Sequence, residues 1–398
     1  MVALRDRAAA VAAATRLRGT VEPGTTTVAL DSVGGRRLAR PVVAREARPA
    51  HDYATMDGFA VHTADTAPLT IRDRALGPDD APVDHEAGTA TRVATGAPLP
   101  RGADAVVPRE DARVDDGTLR DPALDPWSHV VRRGSYCDAD ETILDRGTVL
   151  SPRDAAICRD LGREHVEVEA RLSVAVLATG DEVAAGVQPD RDSEMVAGLV
   201  RRWGHDATLA GTVPDDPTAL RDRLSTLADA HDVLVTSGGT SVGARDHTVG
   251  TLVDPGTVEW QGVALRPGRP AACVRLADAV AFALPGNPVA AYVAAVSLLA
   301  PFFRGDRALP WHEATAGRDL ALPDAALEYA IPVTVDGDTA TPLGASGSGI
   351  DLYDERYRPG RVAACPHVLR ADGLAYRTSP LVAGERIAWT PFPTLEAP

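Results

Sequence analysis

The 398-residue sequence contains no lysine, so all 41 of its basic residues are arginine, and it contains a single asparagine, Asn287. This bias is that of a GC-rich genome. An Arg standing where another protein has Lys keeps the charge but exchanges a compact ammonium for a planar fork. Cysteine is scarce as well: Cys137, Cys158, Cys273 and Cys365 lie far apart, without a Cys-x-x-Cys pair. That spacing gives no support to a zinc site or a disulfide framework and points to buried thiols in a reducing cytosol. Long apolar runs are missing too; residues 289–303, the longest mostly apolar stretch, are too few to span a bilayer and read as a buried helix. Residues 1–18 interleave Arg with Ala and lack a Leu-rich core, which predicts an amphipathic helix and not a secretion signal. Positive charge is in deficit: the net charge is −15 and there is no long basic run. Nucleic acid and anionic membrane are therefore disfavoured as partners, and any anionic ligand must be held by local donors. The expected location is the cytoplasm.

What is present is a hydrophobic content of 44%, enough for a folded chain, and a length suited to about two to four domains. From Ser173 onward, short apolar runs alternate with amphipathic helices, the signature of a doubly wound α/β domain. Residues 173–178, 206–213 and 232–236 read as its strands. Asp192 or Ser193 is placed to cap a helix with Met195, Leu199, Val200 and Trp203 on one face. Asp216 followed by Pro217 starts another helix, through Leu220, Leu224 and Leu227. The first 172 residues are rich in turn residues, with β-like runs at 93–95, 105–107 and 130–131. After Arg307, residues 329–335, 361–364 and 386–389 read as strands of a small β-barrel or sandwich. The resulting division is a helical linking domain (1–44 and 141–172), an inserted β-rich domain (45–140), the α/β domain (173–306) and a C-terminal β-barrel (307–398).

Two glycine-bearing loops fall where ligands bind in open α/β sheets, at the C-terminal ends of strands. The third strand runs into Ser237-Gly238-Gly239-Thr240-Ser241-Val242-Gly243, whose unobstructed N–H groups and hydroxyls suit a phosphate. The loop is neither a dinucleotide fingerprint nor a P-loop, and tight turns also use Gly for geometry alone. Residues 279–284 run into Pro285-Gly286-Asn287-Pro288, where the prolines stiffen an unusual backbone and the Asn amide supplies donor and acceptor. Thr179-Gly180-Asp181-Glu182 follows the first strand and Asp246 follows the Gly-rich loop. Carboxylates beside a phosphate cradle fit magnesium, while Asp181 or Glu182 acting only as a helix cap fits the same residues. Arg266-Pro267-Gly268-Arg269-Pro270 presents two guanidinium groups on a stiff turn, suited to an oxyanion or simply solvated. Asp57 before Gly58, taken alone, reads as a turn acid.

Taken in order, DYATMDGFAV, ATGAPLPRGADAVV, ATGDEV, TSGGTSVGARD, RPGRP and LPGNP resemble the molybdopterin molybdenumtransferase family, which includes the MoeA proteins and the E domain of gephyrin. Gly347-Ser348-Gly349 and Leu369-Arg370-Ala371-Asp372-Gly373 look like that family's last signatures, so the resemblance covers essentially the whole chain. It implies a four-domain subunit and a homodimer in which the inserted domain of one subunit faces the α/β cleft of the other. The implied substrates are adenylylated molybdopterin and molybdate, or tungstate in some members, with Mg2+; the products are molybdenum cofactor and AMP. It assigns Gly238, Gly239, Thr240, Ser241 and Gly243 to the pterin phosphate or pyrophosphate. Glu182, Asp215 and Asp246 become acids for catalysis or magnesium, with Glu182 and Asp246 as the metal ligands, and Asp57 reaches across from the other subunit. Thr95 is a further substrate contact, Arg266, Arg269 and Ser348 hold oxyanions, and Pro285, Gly286 and Asn287 shape the cleft floor. The chain departs from the pattern in Arg for the family's Lys residues, in Tyr136 where a carboxylate is usual, in Asp192 where the helix-start motif usually has Asn and in Ala290 where Ser is usual. Two other readings are a molybdopterin adenylyltransferase, which needs neither the MDG segment nor the barrel, and a non-catalytic molybdopterin-binding scaffold. The adenylyltransferase and recipient molybdoenzymes are the further partners implied.

Overall fold

The computed structural model describes residues 4–21, 24–122, 124–239, 248–253, 256–305, 310–324 and 326–397. The chain divides into two compact units, one formed by Met1–Gly24 with Ala170–Pro398 and the other by Thr25–Glu169.

The first unit is organised by a six-stranded sheet in the order Asp206–Val213, Ser173–Thr179, Val233–Ser237, Val280–Leu284, Ala272–Arg275, Thr257–Gln261. The first four strands run parallel and the last two antiparallel. Side chains along a strand alternate between faces, so a run apolar at every position needs cover on both. Val174 and Val176 enter one core with the Ser193–Arg202 helix, while Ala175 and Leu177 enter another with Leu220, Leu224 and Leu227 of the Pro217–Ala228 helix. This is the doubly wound arrangement expected, and it leaves every parallel strand ending at the same edge.

Asp216 caps the Pro217–Ala228 helix as expected, accepting from Thr218 N (3.1 Å) and Ala219 N (2.8 Å), with Pro217 in the first turn. The Ser193–Arg202 helix differs from expectation. Neither Asp192 nor Ser193 makes a side-chain cap. Asp190 Oδ1 instead accepts from Asp192 N (3.0 Å) and Ser193 N (3.1 Å). Two carboxylates compete for one helix start; the upstream one takes the N–H groups and leaves the Asp192 side chain free to turn inward.

The run after Asn287 is helical from Pro288 to Arg304, with one π-type turn at Ala295–Leu299. The Arg7–Arg18 helix, started by the Asp6 carboxylate accepting from Ala9 N (2.8 Å), packs against its later turns. No described helix is long and apolar enough to cross a membrane. Beyond it, Glu328–Asp336, Thr339–Pro342, His312–Ala316, Arg386–Pro391 and Gly373–Arg377 pair in a ring that closes back on Glu328–Asp336, which makes the expected barrel. Residues 361–364 are not one of its strands: Pro359 opens a short helix, Pro359–Ala363, that buries Val362.

The second unit contains a separate six-stranded sheet in the order Ala105–Pro108, Gly58–Val61, Thr89–Val93, Leu69–Leu76, Thr118–Arg120, Arg113–Asp115. Cores cover both of its faces, and a third core, with Leu38, Leu150 and Val168, surrounds the Asp154–Asp160 helix. Residues 94 and 95 lie beyond the Thr89–Val93 strand, so the expected run at 93–95 is only its last residue. Cys137, Cys158 and Cys273 are buried free thiols, and Cys365 is half-buried. The multidomain α/β-plus-β class read from the sequence is the class observed.

His205 ties the first sheet to its covering helix. Leu172 N–H donates to Nδ1 (3.1 Å), so the ring proton sits on Nε2 and reaches the Phe303 carbonyl (3.0 Å). Burial pushes this imidazole from its ordinary 6.5 down to about 4. The unfolded chain therefore binds a proton in this interval that the native state refuses. The contribution is fully present above 6.5 and is lost as pH falls through the interval, about 3 kcal/mol in all. Denaturant titrations at stepped pH are expected to show this decline, and His205→Gln, though less stable, is expected to lack that component.

Candidate functional site

The parallel strands deliver three loops to one edge, and those loops touch through their backbones. Gly238 donates its N–H to the Leu284 carbonyl (3.1 Å), and Gly180 donates to the Val213 carbonyl (3.1 Å). A Cβ on Gly286 would lie 3.0 Å from Gly238 Cα, and one on Gly238 would overlap the Thr179 carbonyl. Gly238 and Gly239 also hold φ of +98° and +61°, which favours glycine. Glycine here answers two demands at once, handedness and space.

The crowding leaves backbone donors unspent. Among the described residues, the N–H groups of Gly239, Gly286 and Asn287 have no acceptor. Asn287 is exposed at the start of the Pro288–Ala294 helix and makes no side-chain cap, so its amide is not occupied by the ordinary structural role. Pro285 is buried beside it. Unpaired N–H groups at strand ends and a helix start form a place for an anion. Thr240, Ser241, Gly243 and Asp246, the rest of the expected loop, lie outside the described residues.

Carboxylates stand at the same edge. Asp181 and Glu182 open the short Asp181–Ala184 helix, and Asp181 Oδ1 accepts from Asp215 N (3.0 Å), which joins the first and second strand ends. Glu182 is exposed and, among the described residues, bears no side-chain partner. Asp215 is half-buried. Among the described residues, no group of three or more His, Cys, Asp or Glu side chains is placed to hold a metal ion. One free carboxylate beside open backbone donors fits a cation of the magnesium kind, which binds through one or two carboxylates, water and substrate phosphate.

Two residues that the sequence reading named without giving them a role at the site sit beneath the loops. Thr179 is buried, with Oγ1 3.4 Å from both the Ser237 carbonyl and Thr248 Oγ1. Asp192 is buried and accepts from Ser237 Oγ at 2.7 Å. A cap-like Asp before an apolar helix hides such a role, because its sequence signature is that of a cap.

The remaining candidates are placed elsewhere in the chain. Arg266 ends the Leu265–Arg266 strand and is half-buried; Arg269 is exposed on the following turn. Neither guanidinium has an ion-pair or hydrogen-bond partner among the described residues, so both are free for an oxyanion. Ser348 lines a polar cup of about 710 Å³ with Arg318, Asp319, Ser346 and Glu355, and none of the strand-end residues lines it. Ser348 Oγ already accepts from Gly344 N (2.9 Å) and donates to Ile350 O (3.2 Å). In the second unit, Asp57 Oδ1 accepts from Thr95 N (2.8 Å) and Thr95 Oγ1 (2.9 Å). These bonds, the backbone one foremost, hold its exposed carboxyl below the usual carboxylate range. Tyr136 is 60% exposed, and its hydroxyl pairs with that of Tyr53. Ala290 is buried in the helix after Asn287.

These features define a multidomain protein built around an open α/β sheet with a loop-bearing strand edge. Comparisons with known proteins narrow the class. Residues 4–162 match the MoeA N-terminal region (domain I and II), and residues 175–305 match a family described as a probable molybdopterin binding domain. The chain is 32% identical over 310 residues to molybdopterin molybdenumtransferase 2 of Mycobacterium tuberculosis, covering 71% of this chain and 76% of that protein. It is 29% identical over 284 residues to the molybdopterin molybdenumtransferase of Haemophilus influenzae, covering 68% and 70% respectively. The crystal structure of a molybdopterin biosynthesis MoeA protein from Pyrococcus horikoshii shares the fold, with TM-score 0.81 and 23% identity over 98% of this chain and 99% of that one. The chain belongs to the molybdopterin molybdenumtransferase family, and it is a transferase.

Gly238→Ala is expected to cost about 3 kcal/mol, because the new methyl meets a backbone carbonyl and the positive φ strains it. Gly198→Ala, on an exposed helix position where a Cβ meets nothing within 4 Å, is expected to gain up to about 1 kcal/mol. Urea unfolding midpoints of the two variants check the contrast.

Proposed function

We propose that this chain transfers molybdenum from molybdate to adenylylated molybdopterin, forming molybdenum cofactor and releasing AMP. Family membership makes it a transferase of molybdenum cofactor biosynthesis. The observation that carries the placement of the reaction is the set of N–H groups on Gly239, Gly286 and Asn287 at one sheet edge, which have no acceptor among the described residues. An acidic chain must hold an adenylyl phosphate by fixed local donors, and backbone N–H groups bring no desolvated counter-charge.

In this reading Gly238, Gly239, Thr240, Ser241 and Gly243 cradle the phosphate, and Pro285, Gly286 and Asn287 form the floor. Arg266, Arg269 and Ser348 receive molybdate, whose dianion suits unpaired guanidinium groups. Asp215 and Asp57 serve as polar acids at the reacting end, with Thr95 fixing Asp57 as an ionised acceptor. Mg2+ is the proposed cofactor, held by Glu182 and Asp246, and it would neutralise charge on the departing phosphate. The chain itself orients the phosphate and keeps Asp57 deprotonated.

The working form proposed is a cytoplasmic homodimer, in which Asp57 and Thr95 of one subunit serve the strand edge of the other. The division at 1–44 with 141–172, 45–140, 173–306 and 307–398 is proposed as the domain map. The adenylyltransferase that supplies the substrate and the molybdoenzymes that receive the product are the proposed partners.

The test is AMP release from adenylylated molybdopterin with molybdate and Mg2+. Wild-type protein is expected to turn over. Asp57→Ala and Glu182→Ala are each expected to lose at least about a hundredfold in rate, and mixing the two variants is expected to restore part of it through mixed dimers. Chelation of Mg2+ is expected to stop release reversibly. Binding of substrate without any turnover would overturn the transferase assignment.

A further inference from the structure

The Asp192 carboxyl is buried at the start of the Ser193–Arg202 helix, yet its side chain makes no cap bond there, and Asp190 Oδ1 takes the N–H groups of Asp192 and Ser193. It faces the end of the neighbouring Val233–Ser237 strand and accepts there from Ser237 Oγ at 2.7 Å. Asp192 is 5% exposed, and among the described residues its buried Oδ1 has no hydrogen-bond partner; the buried Ser193 Oγ and Thr236 Oγ1 are in the same condition. A buried carboxyl left half-satisfied is costly and needs a reason.

The reason lies in what Ser237 carries. It is the last residue of its strand, and Gly238 and Gly239 follow it into the anion-binding edge. Its carbonyl faces Thr179 Oγ1, and the next N–H is fixed on Leu284. Among the described residues, its hydroxyl is held by Asp192 alone. We propose that Asp192 is a positioning residue for the substrate phosphate, clamping Ser237 so that the free N–H of Gly239 points into the edge where the phosphate binds. This rests on the proposed placement of the phosphate at Gly239.

The clamp is sensitive to charge. Burial, foremost, pushes the Asp192 carboxyl above the usual range, opposed by the Ser237 hydrogen bond. Among the described residues, the charged groups acting on it are Asp190, which raises it, and Arg191, which lowers it; the facing strand offers only the Ser237 hydroxyl. The neutral acid thus persists to higher pH than an ordinary carboxyl. Once ionised, it sets a negative charge behind the loop and opposes the phosphate. Asparagine keeps an acceptor for Ser237 and never acquires that charge.

The experiment is titration calorimetry of AMP into the full-length protein, for wild type, Asp192→Ala, Asp192→Asn and Ser237→Ala, across a pH series. Asp192→Ala and Ser237→Ala are each expected to weaken AMP binding roughly tenfold, and Asp192→Asn by no more than about threefold. The ratio of Asp192→Asn affinity to wild-type affinity is expected to rise with pH, since the titration of AMP itself is common to both. Ser237→Ala removes the same hydrogen bond without emptying the acid site, which keeps the test valid if Asp192→Ala unfolds. Wild-type binding that is unaltered in Ser237→Ala, or an affinity ratio flat with pH, overturns the inference while leaving the phosphate placement intact. Absence of AMP binding to the wild type overturns the placement and the inference together.

Discussion

The approach of three backbones at one sheet edge is the constraint on which the rest depends. Gly238 lies against the Thr179 carbonyl and within reach of Gly286, and neither glycine has room for a methyl group. That crowding exists because the strands ending at Thr179, Ser237 and Leu284 are adjacent and parallel, in register from Val174, Val233 and Val280. Parallel strands need both faces covered, and the two cores on either side of the sheet supply the cover. The packing that stabilises the domain is therefore the packing that brings the loops together.

The same crowding creates the donors. Among the described residues, none pairs with the N–H groups of Gly239, Gly286 and Asn287 at this crowded edge. In a protein of net charge −15, such fixed dipoles are the economical means of holding an anion. The guanidiniums of Arg266 and Arg269 are of the same kind: positive groups with no ion pair among the described residues, unlike Arg7, which is spent on Glu328 at 2.7 Å.

Much of this was legible before any coordinate. Strand runs such as 206–213 place Ala207, Leu209 and Val213 two or four positions apart, the spacing of one strand face, and Asp216-Pro217 is a helix start with a mechanism. The two Gly loops were visible because a strand run ended in each. Residues 361–364 were misread as strand because a single buried Val362 after an Arg carries no period, and the Pro359 that starts a helix there was the better signal. Asp192 was misread because a carboxylate before an amphipathic helix looks the same whether it faces its own helix or a neighbouring strand. Only the position of Asp190 decides between them, and that depends on three-dimensional placement. Ser348 illustrates the converse: a signature residue found busy with its own turn, in a cup that none of the strand-end residues lines.

The measurement that tests the central claim most directly is a crystal structure of the protein with AMP and Mg2+ bound. The account predicts phosphate density within hydrogen-bond distance of the N–H groups of Gly239 and Gly286, above the Thr179–Ser237 contact. Phosphate seated instead in the cup lined by Arg318, Ser346 and Ser348, with the strand edge empty, would contradict it.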